Sequence, residues 1–154
     1  MPETLDKTDK KILEALQRNA RISIQDLGDH VGLSPTPCAR RVKNLEKRGV
    51  IKGYSALVDE ALMGYGFSVF VSVQLDHQTD DRLLKFESEI AQFPEVMDCW
   101  LMTGNRDYLL RLAIADLAEF ERFLTGRLTK VEGVASLESS IPIRRVKEQR
   151  ARLY

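Results

Sequence analysis

The chain has 154 residues, 44% hydrophobic and 30% charged, and its 23 basic side chains balance 23 acidic ones, so it holds one ordinary domain or two small ones. Its two cysteines, Cys38 and Cys99, lie far apart and outside any C-x-x-C pair, which argues against a disulfide framework or a zinc site and suits a reducing compartment. The start, MPETLDKTDKK, is no apolar signal core, and no later apolar run is long enough to span a bilayer, so a soluble cytoplasmic protein without a membrane partner is expected.

The zero net charge conceals an asymmetry. Through Tyr54 there are 11 Lys and Arg against 7 Asp and Glu, and beyond it 12 against 16. A basic head on an acidic body suits a DNA module joined to a module for assembly or sensing.

In chain order, Leu5, Ile12, Leu13 and Leu16 form an apolar stripe that starts after a cap at Thr4 or Asp6 and ends near Asn19. Ile12 and Leu16 are expected to pack on Leu27 and Leu45. Ile24, Leu27 and Val31 share one face of a second, short helix, which Gly32 stops, with Leu33 as an apolar plug at the corner. Ser34 suits a helix cap, Pro35 the first helical position, and Pro37 is still tolerated in the first turn. A third helix then runs through Cys38, Val42 and Leu45 to about Arg48 and stops at Gly49. Cys38 lies on that stripe and reads as a small buried hydrophobe rather than a nucleophile or ligand.

Two short helices joined by a glycine turn make a helix-turn-helix, whose second helix enters the major groove by its N-terminal end. That end carries Ser34, Thr36, Arg40 and Arg41, able to reach phosphates or base edges. Lys43, Lys47, Arg48 and Lys52 add to a local excess opposed only by Glu46, suited to positioning the phosphate backbone. A basic helix can also be a merely solvated face; here turn chemistry, apolar period and charge agree on one element.

The segment VIKGYSALVD is short and β-rich, and Gly64 and Gly66 mark a hinge. The chain therefore divides into a helix-turn-helix domain over 1–53, a hinge strand and linker over 54–66, and a second domain over 67–154. There FSVFVSVQL places Phe67, Val69, Val71, Val73 and Leu75 on one face. A helix follows with Leu83, Phe86, Ile90 and Phe93, ended by Pro94. VMDCWLM and YLLRLAIA flank the turn TGNRD as a hairpin. A second helix carries Leu117, Phe120, Leu124, Leu128 and Val131 up to Gly133, and SLESSIPI is the last strand, alternating Leu137, Ser139, Ile141 and Ile143.

Strand, helix, strand, strand, helix, strand is the split βαβ, or ferredoxin-like, order, giving an α+β chain. Its first and third strands are central, and Pro142 suits an edge position in the fourth. Both helices cover one face, so the other is bare. With Phe70 and either Trp100 or Leu101 on the bare side, homodimerisation through this domain is expected, presenting two heads to a pseudo-palindromic site. His30 and His77 read as surface residues, and no catalytic or metal-ligand set stands out.

LDKTDKKILEALQRNARIS, LSPTPCARRVKNLEKRGVIKGY and LMTGNRDYLLRL, in that order, resemble the Lrp/AsnC family, the leucine-responsive and feast/famine transcription regulators of bacteria and archaea, over about Leu5 to Lys147. The resemblance implies a winged-type helix-turn-helix head and a ferredoxin-like effector domain, dimers assembled into octamers of four dimers, and binding and bending of double-stranded promoter DNA on the nucleoid. It implies an amino acid effector near the TGNRDY turn and no cofactor. By position, Leu101, Thr103, Gly104, Asn105, Arg106, Asp107 and Tyr108 build the effector pocket, with Ser139, Ser140 and Ile141 facing it from the last strand. Amides around Gly104 and the Ser139 or Ser140 hydroxyls suit the effector's carboxylate, and Asp107 its ammonium. The same Gly-Asn-Arg-Asp run is also a good hairpin turn in its own right, with Asp107 as its brace.

The leading reading is thus a sequence-specific regulator of amino acid metabolism or transport genes, tuned by an amino acid. The alternative is a ligand-independent, DNA-bending architectural protein. An enzyme of the same fold is the third class, and a fold alone gives no activity.

Overall fold

The computed structural model of the chain describes residues 4–147, which fall into two compact units, one running up to Ala56 and including Lys147, the other spanning Leu57–Val146. The last seven residues of the basic C-terminal run lie outside the described residues.

Three helices build the head: α1 (Lys7–Arg18), α2 (Ile24–Val31) and α3 (Pro35–Lys47). Asp6 caps α1 by accepting the Asp9 amide at 2.7 Å, while the Asp9 carboxylate accepts the Asp6 amide at 3.4 Å. Ser23 caps α2, and Gly32, at φ 76°, closes it in the left-handed conformation. Ile12, Leu13, Ala15, Leu27, Val31, Cys38, Val42 and Leu45 are buried together, with Leu5, Leu16, Leu33 and Ile51 packed around them. Ile24 departs from its expected buried place: it is 37% exposed at the start of α2, and the helix instead buries Leu27, Gly28 and Val31.

Ser34 holds the N-cap position of α3, but its hydroxyl makes no capping bond. An N-cap side chain accepts from the second or third helical amide, and the third here is Pro37, which has none. At the other end Gly49, at φ 69°, lets its own amide reach the Glu46 carbonyl at 2.9 Å and the Val50 amide reach Leu45 at 3.0 Å. Among the described residues of the head no strand follows α3.

The rear unit is a four-stranded antiparallel sheet, β1 (Phe67–Leu75), β2 (Val96–Leu101), β3 (Tyr108–Ile114) and β4 (Val134–Ser140), in the order β2-β3-β1-β4. With α4 (Asp80–Ile90) and α5 (Leu117–Gly126) between strands, this is the ferredoxin-like βαββαβ order with β1 and β3 central. Val69, Val71, Val73 and Leu75 meet Leu110, Leu112, Phe86, Ile90, Phe120 and Phe123 in one core, so both helices cover the same face.

Four expectations change. The second helix stops at Gly126, and Leu128–Lys130 form a separate 3-10 turn; Arg127 between them is out of helical geometry at φ −131°, with its guanidinium 4.4 Å from the Phe93 ring centre and bonded to Glu95. Phe123 is buried there in place of the expected Leu117, which is 59% exposed. The fourth strand ends at Ser140, opposite Phe70, so Ile141, Pro142 and Ile143 lie beyond it; a proline nitrogen cannot extend the ladder. Finally, 54–66 contains no strand: its second half is a turn in which the Met63 amide bonds Asp59 and the Tyr65 amide bonds Glu60, and Glu60 is held by Arg111 at 3.2 Å. From Leu57 onward this segment belongs to the rear unit.

Candidate DNA-reading face and effector loop

On α3, Ser34, Thr36, Arg40, Lys43 and Lys47 are exposed, and Arg48 is its half-buried C-cap. Arg40, Lys43, Asn44 and Lys47 follow helical spacing along one side and, with Asp9 and Arg41, line a concavity of about 510 Å³. Asn44 was legible by the same spacing, since it stands four residues from Arg40, but its lack of charge hid it. Tyr54 donates to Glu46 at 2.9 Å and ties the exit of the head back to α3.

Arg41 behaves differently from its neighbours. Its Nη1 donates to Asp6 at 2.6 Å and to Asp9 at 2.8 Å, spanning from α3 to the first turn of α1. The Asp6 and Asp9 bonds hold the guanidinium pKa above its usual value, and Asp6 is lowered by the Asp9 amide and then by Arg41. The same two carboxylates that cap α1 therefore engage an arginine expected to face DNA.

In the rear unit the β2–β3 connection is closed by the Met102 amide on the Asp107 carbonyl at 2.8 Å, with Gly104 at φ 113°. Asp107 is 5% exposed, and its carboxylate already accepts from the Leu75 amide at 2.7 Å and Gln78 Nε2 at 2.6 Å. Both oxygens are occupied by the chain itself. That geometry makes the Asp107 carboxylate a brace between the loop and the end of β1, the structural role the turn chemistry had offered beside ammonium binding.

Tyr108 is likewise a core residue, 1% exposed, its ring 4.5 Å from that of Phe86 and its hydroxyl donating to Glu87 at 2.7 Å; burial and then Glu87 push its pKa up. Thr103, Gly104, Asn105 and Arg106 do come together, with Ser72, Met102, Tyr108 and Leu109, around a cavity of about 450 Å³. Ser72 and Leu109 could have been found from strand parity, since both alternate out of the core.

The remaining expected pocket residues separate. Leu101 pairs with Tyr108, so it shares the helix-side parity and lines a different cavity, of about 380 Å³, with Glu87 and Cys99. Ser139 pairs with Val71 and Ser140 with Phe70, so the two hydroxyl side chains lie on opposite faces. Ile141, past the strand, is 51% exposed. None of these four lines the loop cavity.

The face away from the helices carries Phe70, Ser72 and Gln74, Leu109 and Arg111, Trp100 and Asp98, and Ser136, Glu138 and Ser140. Trp100, not Leu101, is the β2 aromatic or aliphatic group on this side. Arg111 is pinned there between Asp98 at 2.7 Å and Glu60 at 3.2 Å. Among the described residues no helix is long and apolar enough to cross a membrane, and no group of three His, Cys, Asp or Glu is placed to hold a metal ion.

Two family profiles match: winged helix-turn-helix DNA-binding over residues 5–52 and the Lrp/AsnC ligand binding domain over 68–152. The chain is 47% identical to the Bkd operon transcriptional regulator of Pseudomonas aeruginosa, over 92% of this chain and 93% of that protein. It is 34% identical to the DNA-binding transcriptional activator DecR of Escherichia coli, over 93% and 94%. A transcriptional regulator of Neisseria meningitidis solved as a complex with L-Met has a TM-score of 0.89 at 36% identity, over 94% of both chains. The chain belongs to the Lrp/AsnC family: it is a transcription regulator with a helix-turn-helix DNA-binding head and an Lrp/AsnC ligand-binding domain.

Proposed function

We propose that the protein controls genes of amino acid metabolism or transport, reading promoter DNA with α3 and responding to an amino acid bound at the 102–106 loop. Ser34, Thr36 and Arg40 meet the groove, Lys43, Lys47 and Arg48 position the phosphates, and Arg41 acts through the pose of α3 rather than by touching DNA. The observation that carries the head is the concave basic side of α3, since exposed cations on one helix face are what counterion release requires.

For the effector, support comes from the ligand-binding profile and from the loop cavity. The Neisseria regulator's L-Met complex and the Bkd operon regulator's name point to amino acid chemistry. With Asp107 occupied, the ammonium is taken by loop carbonyls and Asn105, and the carboxylate by amides near Gly104 and by Arg106. Leu101, Tyr108, Ser139, Ser140 and Ile141 serve as supports or as surface toward a further copy. Dimers form through the sheet face of Trp100 and Phe70 and assemble to the octamer that the resemblance implies, on the nucleoid in the cytoplasm.

The test is a thermal-shift screen of the full chain against the twenty common L-amino acids, followed by promoter binding with and without each hit in the presence of competitor DNA. An amino acid that raises the melting temperature and changes specific binding is the expected result. Binding that no amino acid alters, and that competitor DNA abolishes, would instead fit the architectural reading.

A further inference from the structure

The side that α3 gives to its concavity is cationic except at one position: Asn44 stands among Arg40, Arg41, Lys43 and Lys47. It is exposed, away from the buried Cys38, Val42 and Leu45. Asn44 follows Arg40 by four residues, one turn and about 6 Å further along the helix, so the two share a row. Among the described residues neither makes a side-chain hydrogen bond or ion pair. Arg41, three residues before Asn44, is drawn to Asp6 and Asp9 on α1, which leaves the amide open on that side.

A neutral amide adds nothing to counterion release, which the cations around it supply. Asparagine is also a poor residue for a helix interior, and at this position it caps neither end of α3. What it brings is a donor and an acceptor on one planar group, whereas lysine and arginine only donate and the Asp9 carboxylate only accepts. The major-groove edge of adenine presents the complementary pair, N7 accepting and N6 donating, while guanine presents two acceptors.

We propose that Asn44 reads an adenine in the major groove and so sets one A·T pair of each half-site, within about two base pairs of the Arg40 contact. This rests on the reading of α3 as the groove helix. Lys43 and Lys47 flank the amide, and long cations on the phosphates position the helix while the short side chain specifies the base.

The test is selection of random duplex DNA by the full-length wild type, Asn44→Ala and Arg40→Ala. Fluorescence anisotropy then follows each protein on the duplex that the wild type enriches, with every adenine in turn replaced by 7-deazaadenine, which keeps its Watson–Crick pairing and loses N7. Replacing one adenine per half-site is expected to weaken the wild type about fivefold. Asn44→Ala should bind the unmodified duplex about tenfold more weakly, be indifferent to that replacement and keep the wild-type salt slope, since no phosphate contact is lost. Arg40→Ala should flatten the slope and keep the 7-deazaadenine penalty. A wild type that enriches no sequence or is indifferent to every 7-deazaadenine, or an Asn44→Ala that keeps the penalty, overturns the assignment of Asn44; α3 stays on the DNA if Arg40→Ala still weakens binding. Wild-type affinity and slope in Arg40→Ala would remove α3 from the groove and the role of Asn44 with it.

Discussion

Arg41 reaches back 32 residues to Asp9, Nη1 to Oδ1 at 2.8 Å, and through the same nitrogen to Asp6 at 2.6 Å. One guanidinium thus fixes the middle of α3 against the capped start of α1, and α3 is the element that presents Arg40, Lys43 and Lys47. The pair is a long-range strut built from the same two carboxylates that start α1.

The strut predicts a particular pattern in salt titrations of promoter binding. Arg40→Ala, which removes a phosphate or base contact, should weaken binding and flatten the log K against log salt slope by about 0.9. Arg41→Ala should also weaken binding, yet leave the slope as in the wild type, because no phosphate contact is lost. Fluorescence anisotropy at several salt concentrations measures both, and a slope loss in Arg41→Ala equal to that in Arg40→Ala would place Arg41 on the DNA.

Asp6→Asn isolates the charge from the cap, since asparagine caps a helix about as well as aspartate. Asp6 is held below the ordinary value of 3.8 in the folded head, first by the Asp9 amide and then by Arg41. A lowered carboxyl stabilises the fold fully above its unfolded pKa, and that stability is lost as the pH falls through the lower folded value. The melting-temperature gap between wild type and Asp6→Asn should therefore stay constant from pH 7 to 5 and shrink only below about 4. A gap that closes nearer neutrality would assign it to another group.

Gly28→Ala tests the turn between α2 and α3. Helix propensity alone predicts stabilisation by about 1 kcal/mol, since glycine is a poor helix interior residue. A Cβ at Gly28, however, would lie 2.6 Å from the Leu33 carbonyl oxygen, in a turn where the Leu33 amide is itself bonded to the Gly28 carbonyl at 2.9 Å. Overpacking against backbone costs about 1–3 kcal/mol, so the head should be destabilised on balance, as urea unfolding would show. A more stable variant would mean that the turn yields.

Much of this was legible because it is local. The caps at Asp6 and Gly32, the stop at Gly49 and the β1 parity from Phe67 to Leu75 follow from residues within a turn or two of each other. What escaped depends on partners far along the chain. Nothing near Arg41 announces Asp9, nothing near Asp107 announces the Leu75 amide, and nothing near Arg106 announces Glu138. The end of the second rear helix likewise coincides with distant partners, the Phe93 ring and the Glu95 carboxylate that Arg127 meets. Of the residues expected around the effector, Thr103, Gly104, Asn105, Arg106 and Tyr108 come together at the loop, Leu101, Ser139, Ser140 and Ile141 lie apart from it, and the Asp107 carboxylate is bonded within the fold.

That reassignment of Asp107 can be checked directly. Removing the carboxylate in Asp107→Ala leaves the buried Leu75 amide without its acceptor, while the exposed Gln78 can turn to water, at a cost of about 1–3 kcal/mol. Urea unfolding of the full chain should show that loss in the rear unit, whether or not an amino acid is present. An Asp107→Ala variant as stable as the wild type but blind to the effector would restore the residue to the ammonium of the ligand.

Trp100 and Leu101 adjoin in sequence but belong to opposite faces of β2, because they pair with Leu109 and Tyr108 respectively. Both are exposed, at 43% and 60%, so either tolerates a charge without opening the core. If the bare face of the sheet joins two copies, Trp100→Glu buries an unpaired carboxylate in that contact and should weaken dimerisation by at least about tenfold. Leu101→Glu, on the helix side, should leave the dimer intact. Sedimentation velocity over a range of concentrations separates them, and DNA binding adds a second readout, since one head released from its partner loses half of a paired site. A dimer that survives Trp100→Glu but dissociates in Leu101→Glu would move the contact to the edge of the sheet beside α4.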